Sequence, residues 1–230
     1  MIGNLNMKTS PQQEFLLQLL FSGDSELRER ALLAVAPKER DRVREIVKVR
    51  EDAEPLLGTM MADLGTASGE LRKNYASQFW RRTAIRALAA TVDGIVFSLK
   101  RLALATADLI ETELKTEEKD FLREQQSSPA GGKVRLPGFR DNFKRTFKTF
   151  ARVHRISCAT DFGQEGFEAL CQTFELRHRV THPKSTTTFF VQDDETKRAG
   201  EAIDWLSREL QRLLGDCHDS LGKTSAGSSS

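Results

Sequence analysis

Residues 85–109 are IRALAATVDGIVFSLKRLALATADL, and their mostly apolar positions recur at alternating spacings of three and four. This spacing places the side chains on one face of an α-helix that packs against other helices or against a partner. The seam consists of Ile85, Leu88, Val92, Ile95, Leu99, Leu102, Thr106 and Leu109. Because Leu71, Tyr75 and Phe79 continue the pattern upstream, we predict one helix of about forty residues over 71–109.

Helical periodicity also dominates the rest of the chain. Upstream we predict helices over 11–21, 25–35 and 37–64, with Pro55 breaking the last of them and residues 65–69 forming a boundary or a tight turn. Downstream we predict a loop over 125–132, then helices that begin after Pro137, after Gly163 or Gly166, and at Asp193 or Asp194. A short extended piece is predicted over 187–191.

These elements predict an all-α helical bundle in three parts. Residues 1–66 form an additional N-terminal helical region, residues 67–221 the main helical domain, and residues 222–230 a disordered tail. The helix opened by Pro137 carries a phenylalanine stripe, for which a core role is favoured over stacking on nucleobases: Phe139, Phe143, Phe147 and Phe150.

The composition excludes several classes of protein. Hydrophobic residues make up 39% of the chain and charged residues 30%, which argues against a disordered chain. The longest weakly polar stretch, 87–99, contains Asp93 and is shorter than the roughly 18 apolar residues of a membrane span. The three cysteines are far apart, so we expect buried thiols in the cytoplasm rather than disulfides or a zinc site: Cys158, Cys171 and Cys217.

Charge is unevenly distributed, although the net charge is only +2. Segment 133–155 has eight basic residues against one acid, and segment 71–101 has seven against Asp93. Each segment is either an ordinary solvated helix face or a surface for RNA phosphates. The candidate RNA-binding residues of the first segment are Arg140, Lys144 and Arg145.

In the helix predicted after Gly163 or Gly166, the apolar face becomes polar and basic within residues 174–183, FELRHRVTHP. The apolar stripe before it, which includes Phe174, continues at helical spacing onto Arg177, His178 and Thr181. Pro183 disfavours the α conformation of the residue before it, so we expect His182 at the end of the helix. Arginine binds phosphate and histidine exchanges protons near neutral pH, which makes this stretch a candidate site: Arg177, His178, Arg179, His182 and Lys184.

Two other interpretations of the same stretch stay open. Basic residues are common in the last turn of a helix, where they bind the free carbonyl groups. His178 and His182 lie four residues apart and could chelate a metal ion, but no carboxylate neighbours them at ligand spacing.

The Arg177-x4-His182 spacing resembles the Arg-x4-6-His signature of the HEPN superfamily, all-α domains that include many metal-independent ribonucleases. The resemblance extends over about residues 71–214 and departs from the family at His178, where asparagine is most common. It implies an endoribonuclease without metal or cofactor, in which Arg177 stabilises the phosphate, His182 is a general acid or base, and His178 assists.

The resemblance also implies partners. They are RNA and a second copy of the chain, because the family joins two motifs in one composite cleft. A toxin–antitoxin or anti-phage setting, with an antitoxin or regulatory protein, is implied in the same way. Alternatives are a non-catalytic HEPN-like module that binds RNA, a nucleotide or a protein, and a helical adaptor that docks a partner on the 85–109 seam.

Two residues are predicted to have supporting roles. Asp93, midway along an apolar helix, either orients Arg177 or His182 or forms a structural pair with Arg86 or Lys100; the structural pair is favoured. Thr181 lies one residue before His182 and faces the same region.

Overall fold

Six α-helices and one 3₁₀ turn make up nearly all of the described chain, which confirms the predicted all-α bundle. The computed structural model describes residues 37–109, 113–123, 138–157 and 160–226. The helices are α1 (Pro37–Lys73), α2 (Gln78–Leu109), α3 (Thr116–Leu122), α4 (Phe139–Val153), α5 (Glu165–Thr181) and α6 (Asp193–Ala226), with the 3₁₀ turn at Thr187–Phe189. The predicted helices 11–21 and 25–35 and the predicted loop 125–132 lie outside the described residues.

The predicted breaks near the N-terminal side are wrong, because α1 is continuous through Pro55 and through residues 65–69. Pro55 is exposed, so the carbonyl group that loses its helical hydrogen bond can be hydrated. Gly58, Gly65 and Gly69 have open space where a side chain would be and cost only helix propensity. The proposed boundary at 66/67 therefore falls inside a helix.

The predicted helix over 71–109 is wrong at its beginning. The chain turns at residues 74–77, where the Ser77 N–H donates to the Asn74 carbonyl oxygen at 2.8 Å. Phe79 is 61% exposed, whereas the seam from Ile85 onward is buried except for the half-buried Leu102. The apolar residues over 71–79 therefore have helical spacing by coincidence, since a turn separates them.

Two smaller predictions also differ from the structure. The piece 187–191 contains a 3₁₀ turn at Thr187–Phe189 instead of a strand. The helix α6 reaches Ala226, so the first residues of the predicted tail 222–230 are helical and only 227–230 lie outside the description.

Helix α2 is the centre of the bundle, with α1 on one side and α4, α5 and α6 on the other. The phenylalanine stripe of α4 packs into the same core, where Phe143, Phe147 and Phe150 are buried. This burial confirms the core role and removes these rings as stacking surfaces for nucleobases. Cys171 of α5 is also buried, and burial raises the pKa of its thiol.

The α5–α6 contact requires a glycine. A Cβ added at Gly166 would lie 2.5 Å from Cβ and Cγ of Trp205, a side chain with no exposed surface. At this point two helices therefore approach more closely than any side chain on α5 would permit. This contact fixes the first turn of α5 on the core.

His154, just after α4, is an uncharged histidine bonded on both ring nitrogens. Its Nδ1 lies 2.9 Å from the Phe150 carbonyl oxygen, and its Nε2 lies 3.2 Å from the Thr106 hydroxyl. A neutral ring with hydrogen on Nδ1 satisfies both contacts. Burial lowers the pKa of His154 to about 4, although the bond to the Phe150 carbonyl opposes this shift.

We expect His154 to make the protein less stable as the pH falls from about 6.5 to about 4. In this window the unfolded chain binds a proton that the folded chain does not, so the free energy of unfolding decreases by about 3 kcal/mol. Urea unfolding across this pH range measures the slope. His154→Gln should have a smaller slope, whereas Phe147→Leu should lower stability equally at every pH. Equal slopes for wild type and His154→Gln would contradict the prediction.

Candidate functional site

The candidate site lies at the C-terminal end of α5. The helix ends at Thr181, as predicted, since Pro183 cannot continue it. His182 leaves the helical conformation with φ −124° and ψ 65°, while its N–H still donates to the His178 carbonyl oxygen at 3.0 Å. The imidazole of His182 is exposed beyond the last turn.

A small apolar cluster and one arginine hold this end of α5 on α2. The cluster consists of Ile85, Leu176, Val180, Val191 and Ala199. Next to it, Arg86 of α2 donates from Nη2 to the carbonyl oxygen of Val180 at 2.8 Å. Because Leu176 and Val180 face the core, the polar residues between and after them are left at the surface.

The predicted site residues are at that surface. His178, Thr181, His182 and Lys184 are exposed, and the side chain of Arg177 is 37% exposed. The ring centroids of His178 and His182 are 6.4 Å apart. No group of three histidine, cysteine or acidic residues placed to hold a metal ion occurs in the part of the chain that the structure describes.

Asp93 of α2 is the acidic neighbour of Arg177. Its Oδ2 lies 3.9 Å from Arg177 Nη2, and its side chain is 60% exposed. This contact places Asp93 beside Arg177, one of the two residues that it was predicted to orient. An exposed pair at this distance is weak, so Arg177 can exchange Asp93 for a phosphate at little cost.

Arg179 serves the scaffold. Its Nη2 contacts both carboxylate oxygens of Glu195 at 2.6 Å, and its Nη1 donates to the carbonyl oxygens of Thr188 and Phe190 at 3.1 and 2.8 Å. With both terminal nitrogens engaged, Arg179 fixes the 183–192 loop beside the site and has little left to offer a phosphate.

Two arginines of α2 that we did not assign to the site complete its basic surface. The guanidinium of Arg82 lies 3.9 Å from the centroid of the Phe189 ring in the loop that follows His182. Burial, and then the charge of Arg86, lower the pKa of Arg82. Within the described segments neither Arg82 nor Arg86 has a carboxylate partner. The sequence signal for these two arginines was the excess of basic residues over 71–101. That excess does not show which of the basic residues lie beside α5.

The other predicted RNA-binding residues lie near the opposite end of α5. Arg140 pairs with Glu168 of α5 at 2.6 Å. Glu168 precedes His182 by fourteen positions, which corresponds to about 21 Å along a helix axis. Lys144 lies 5.1 Å from the Phe167 ring centroid, and Arg145 donates to the Glu117 carbonyl oxygen at 3.1 Å. Within one chain these residues form a second basic patch, separate from the Arg177–His182 end.

Comparison of the chain with protein-family models, with curated proteins and with solved structures found no match. In the described residues no helix combines the length and apolar character needed to cross a membrane.

Proposed function

We propose that this protein is a metal-independent endoribonuclease of the HEPN type that acts as a homodimer. The observation that carries the proposal is the end of α5. There Arg177 and His182 emerge at the surface next to Arg82 and Arg86, two cations that lack a carboxylate partner among the described residues. A local excess of cations beside an exposed histidine suits an anionic substrate that undergoes proton transfer.

RNA supplies the nucleophile for such an enzyme, since a 2′-hydroxyl lies beside each scissile phosphate. A base removes the 2′-hydroxyl proton, the 2′-oxygen bonds to phosphorus, and the bond from phosphorus to the 5′-oxygen breaks. An acid protonates the leaving 5′-oxygen. The products are a 2′,3′-cyclic phosphate and a 5′-hydroxyl.

The residues divide these tasks by chemistry. Arg177 binds the phosphate through its planar donors and stabilises the charge that develops on the phosphoryl oxygens. His182 exchanges the proton. His178 assists from the same surface. Acid and base work is easier with two equivalent proton-transfer groups, and a two-fold dimer that joins two copies of this surface would provide one His182 for each task.

The same surface also fits a non-catalytic module that binds RNA, a nucleotide or a protein. One observation favours this second candidate function: His178 stands where the resembled family most often has asparagine. A toxin–antitoxin or anti-phage setting, with a controlling partner protein, is proposed on the resemblance alone.

Cleavage of a mixed RNA pool by the purified full-length protein in EDTA tests the proposal. We expect fragments that end in 2′,3′-cyclic phosphate and begin with 5′-hydroxyl, together with a solution mass of two chains. Cleavage that disappears in EDTA, or fragments with 5′-phosphate ends, would overturn the metal-independent mechanism. RNA binding without cleavage would support the non-catalytic module instead.

A further inference from the structure

A groove of about 550 Å³ lies between α1 and α2 and adjoins the candidate site through one shared residue. Arg86 lines the groove and also donates to Val180 at the end of α5. Small or flexible residues line the groove, among them Ala67, Ala90 and Met60. Its volume is within the range of small-molecule sites.

The polar groups that the groove offers to a ligand are few. Thr66, Thr83 and Thr91 line it, but each hydroxyl donates to a backbone carbonyl oxygen at 2.8 to 3.0 Å. Asp63 lines it as an exposed carboxylate that has no cationic partner in the described part of the chain. The groove therefore presents an acceptor at Asp63, a cation at Arg86 and the half-buried ring of Trp80.

We infer that this groove binds a guanine base of the substrate, stacked on Trp80 and hydrogen-bonded to Asp63, with the adjoining phosphate directed by Arg86 towards Arg177 and His182. The choice of a nucleotide as ligand rests on the proposed function. An indole ring provides a stacking surface for any base, and Arg86 leads from the groove to the site. The N-terminal helix α1, which supplies Asp63, thereby contributes to substrate binding.

Guanine is the base that matches Asp63. A carboxylate only accepts hydrogen bonds, and it has two oxygens to do so. The Watson–Crick edge of guanine carries two adjacent donors, N1–H and the N2 amino group. The corresponding edges of adenine and cytosine carry one amino donor beside an acceptor, and uracil has one N–H between two carbonyl oxygens. A bidentate pair discriminates between bases by about 1–3 kcal/mol, which is about 5- to 150-fold in affinity.

Calorimetric titration of the full-length protein with guanosine, adenosine, cytidine and uridine 5′-monophosphates tests this inference without any need for cleavage. We expect guanosine monophosphate to bind about 5- to 150-fold more tightly than the others. It should also quench the fluorescence of Trp80, while the second tryptophan, Trp205, is fully buried. The matched variants are Asp63→Asn in the groove and Asp41→Asn, an exposed carboxylate on α1 about 33 Å away along the helix.

Asp63→Asn should abolish the preference for guanosine monophosphate, and Trp80→Ala should weaken binding of all four nucleotides, with Trp80→Phe closer to wild type. Asp41→Asn should change nothing. Equal affinity for the four nucleotides, no binding at millimolar concentration, or a preference that survives Asp63→Asn would each overturn the inference. The proposed function fails by a different result, namely RNA cleavage that is absent or independent of His182.

Discussion

His182→Ala is expected to reduce the rate of RNA cleavage by about 10²- to 10⁴-fold, the usual contribution of a general acid or base. The side chain is exposed beyond the last turn of α5 and has no packing role in the core, so its removal should leave the fold intact. RNA affinity should change little, because the cations that bind phosphate, among them Arg82 and Arg86, are retained. Single-turnover cleavage and fluorescence anisotropy with one labelled RNA measure the two quantities separately.

The matched control for His182→Ala is Thr187→Ala, an exposed residue of the neighbouring 3₁₀ turn. It should cleave RNA at the wild-type rate. Mixed dimers of wild-type and His182→Ala chains test the composite cleft directly. If the cleft needs one His182 from each chain, the mixed dimers should be as inactive as the His182→Ala homodimer. Wild-type cleavage by His182→Ala would refute the catalytic role of this residue.

Gly166→Ala is expected to destabilise the protein by about 1–3 kcal/mol through overpacking, although alanine is the better helix former by about 1 kcal/mol. The added methyl group would overlap Trp205, which is fully buried and has no room to move. Trp205→Gly removes every atom that the added methyl group would meet, including the Trp205 Cβ at 2.5 Å, and it is expected to cost at least about 3–5 kcal/mol because it empties part of the core. Urea unfolding of both variants measures these losses.

A double-mutant cycle separates this steric clash from helix propensity. In the Trp205→Gly background Gly166→Ala should become neutral or stabilising. In the Trp205→Ala background, which keeps the Cβ at 2.5 Å, the cost of Gly166→Ala should become smaller without vanishing. Gly65→Ala, at a position of α1 with open space around it, should stabilise every background by about 1 kcal/mol. The same loss from Gly166→Ala in the wild-type and Trp205→Gly backgrounds would show that the Trp205 contact is not its cause.

The sequence predicted elements well where one local rule governed the chain. Apart from the half-buried Leu102 and Phe139, the seam from Ile85 to Leu109 and the phenylalanine stripe of α4 are buried as their periodicity indicates, and α5 ends before Pro183. At Pro55 the local rule failed. The loss of one helical hydrogen bond at an exposed position was outweighed by the packing of a 37-residue helix along α2, with Val43, Ile46 and Leu64 buried.

The sequence by itself determined that the chain is helical, where its apolar faces lie, and that Arg177 and His182 share the end of one helix, since these properties depend on neighbours within about four positions. Only the tertiary structure decided which cations join them. Arg179, two residues from Arg177, is occupied by Glu195, whereas Arg82 and Arg86, more than ninety positions from His182, lie beside the site. The physical reason is that the availability of a charge depends on contacts between helices, and local periodicity carries no information about which helix faces pack together.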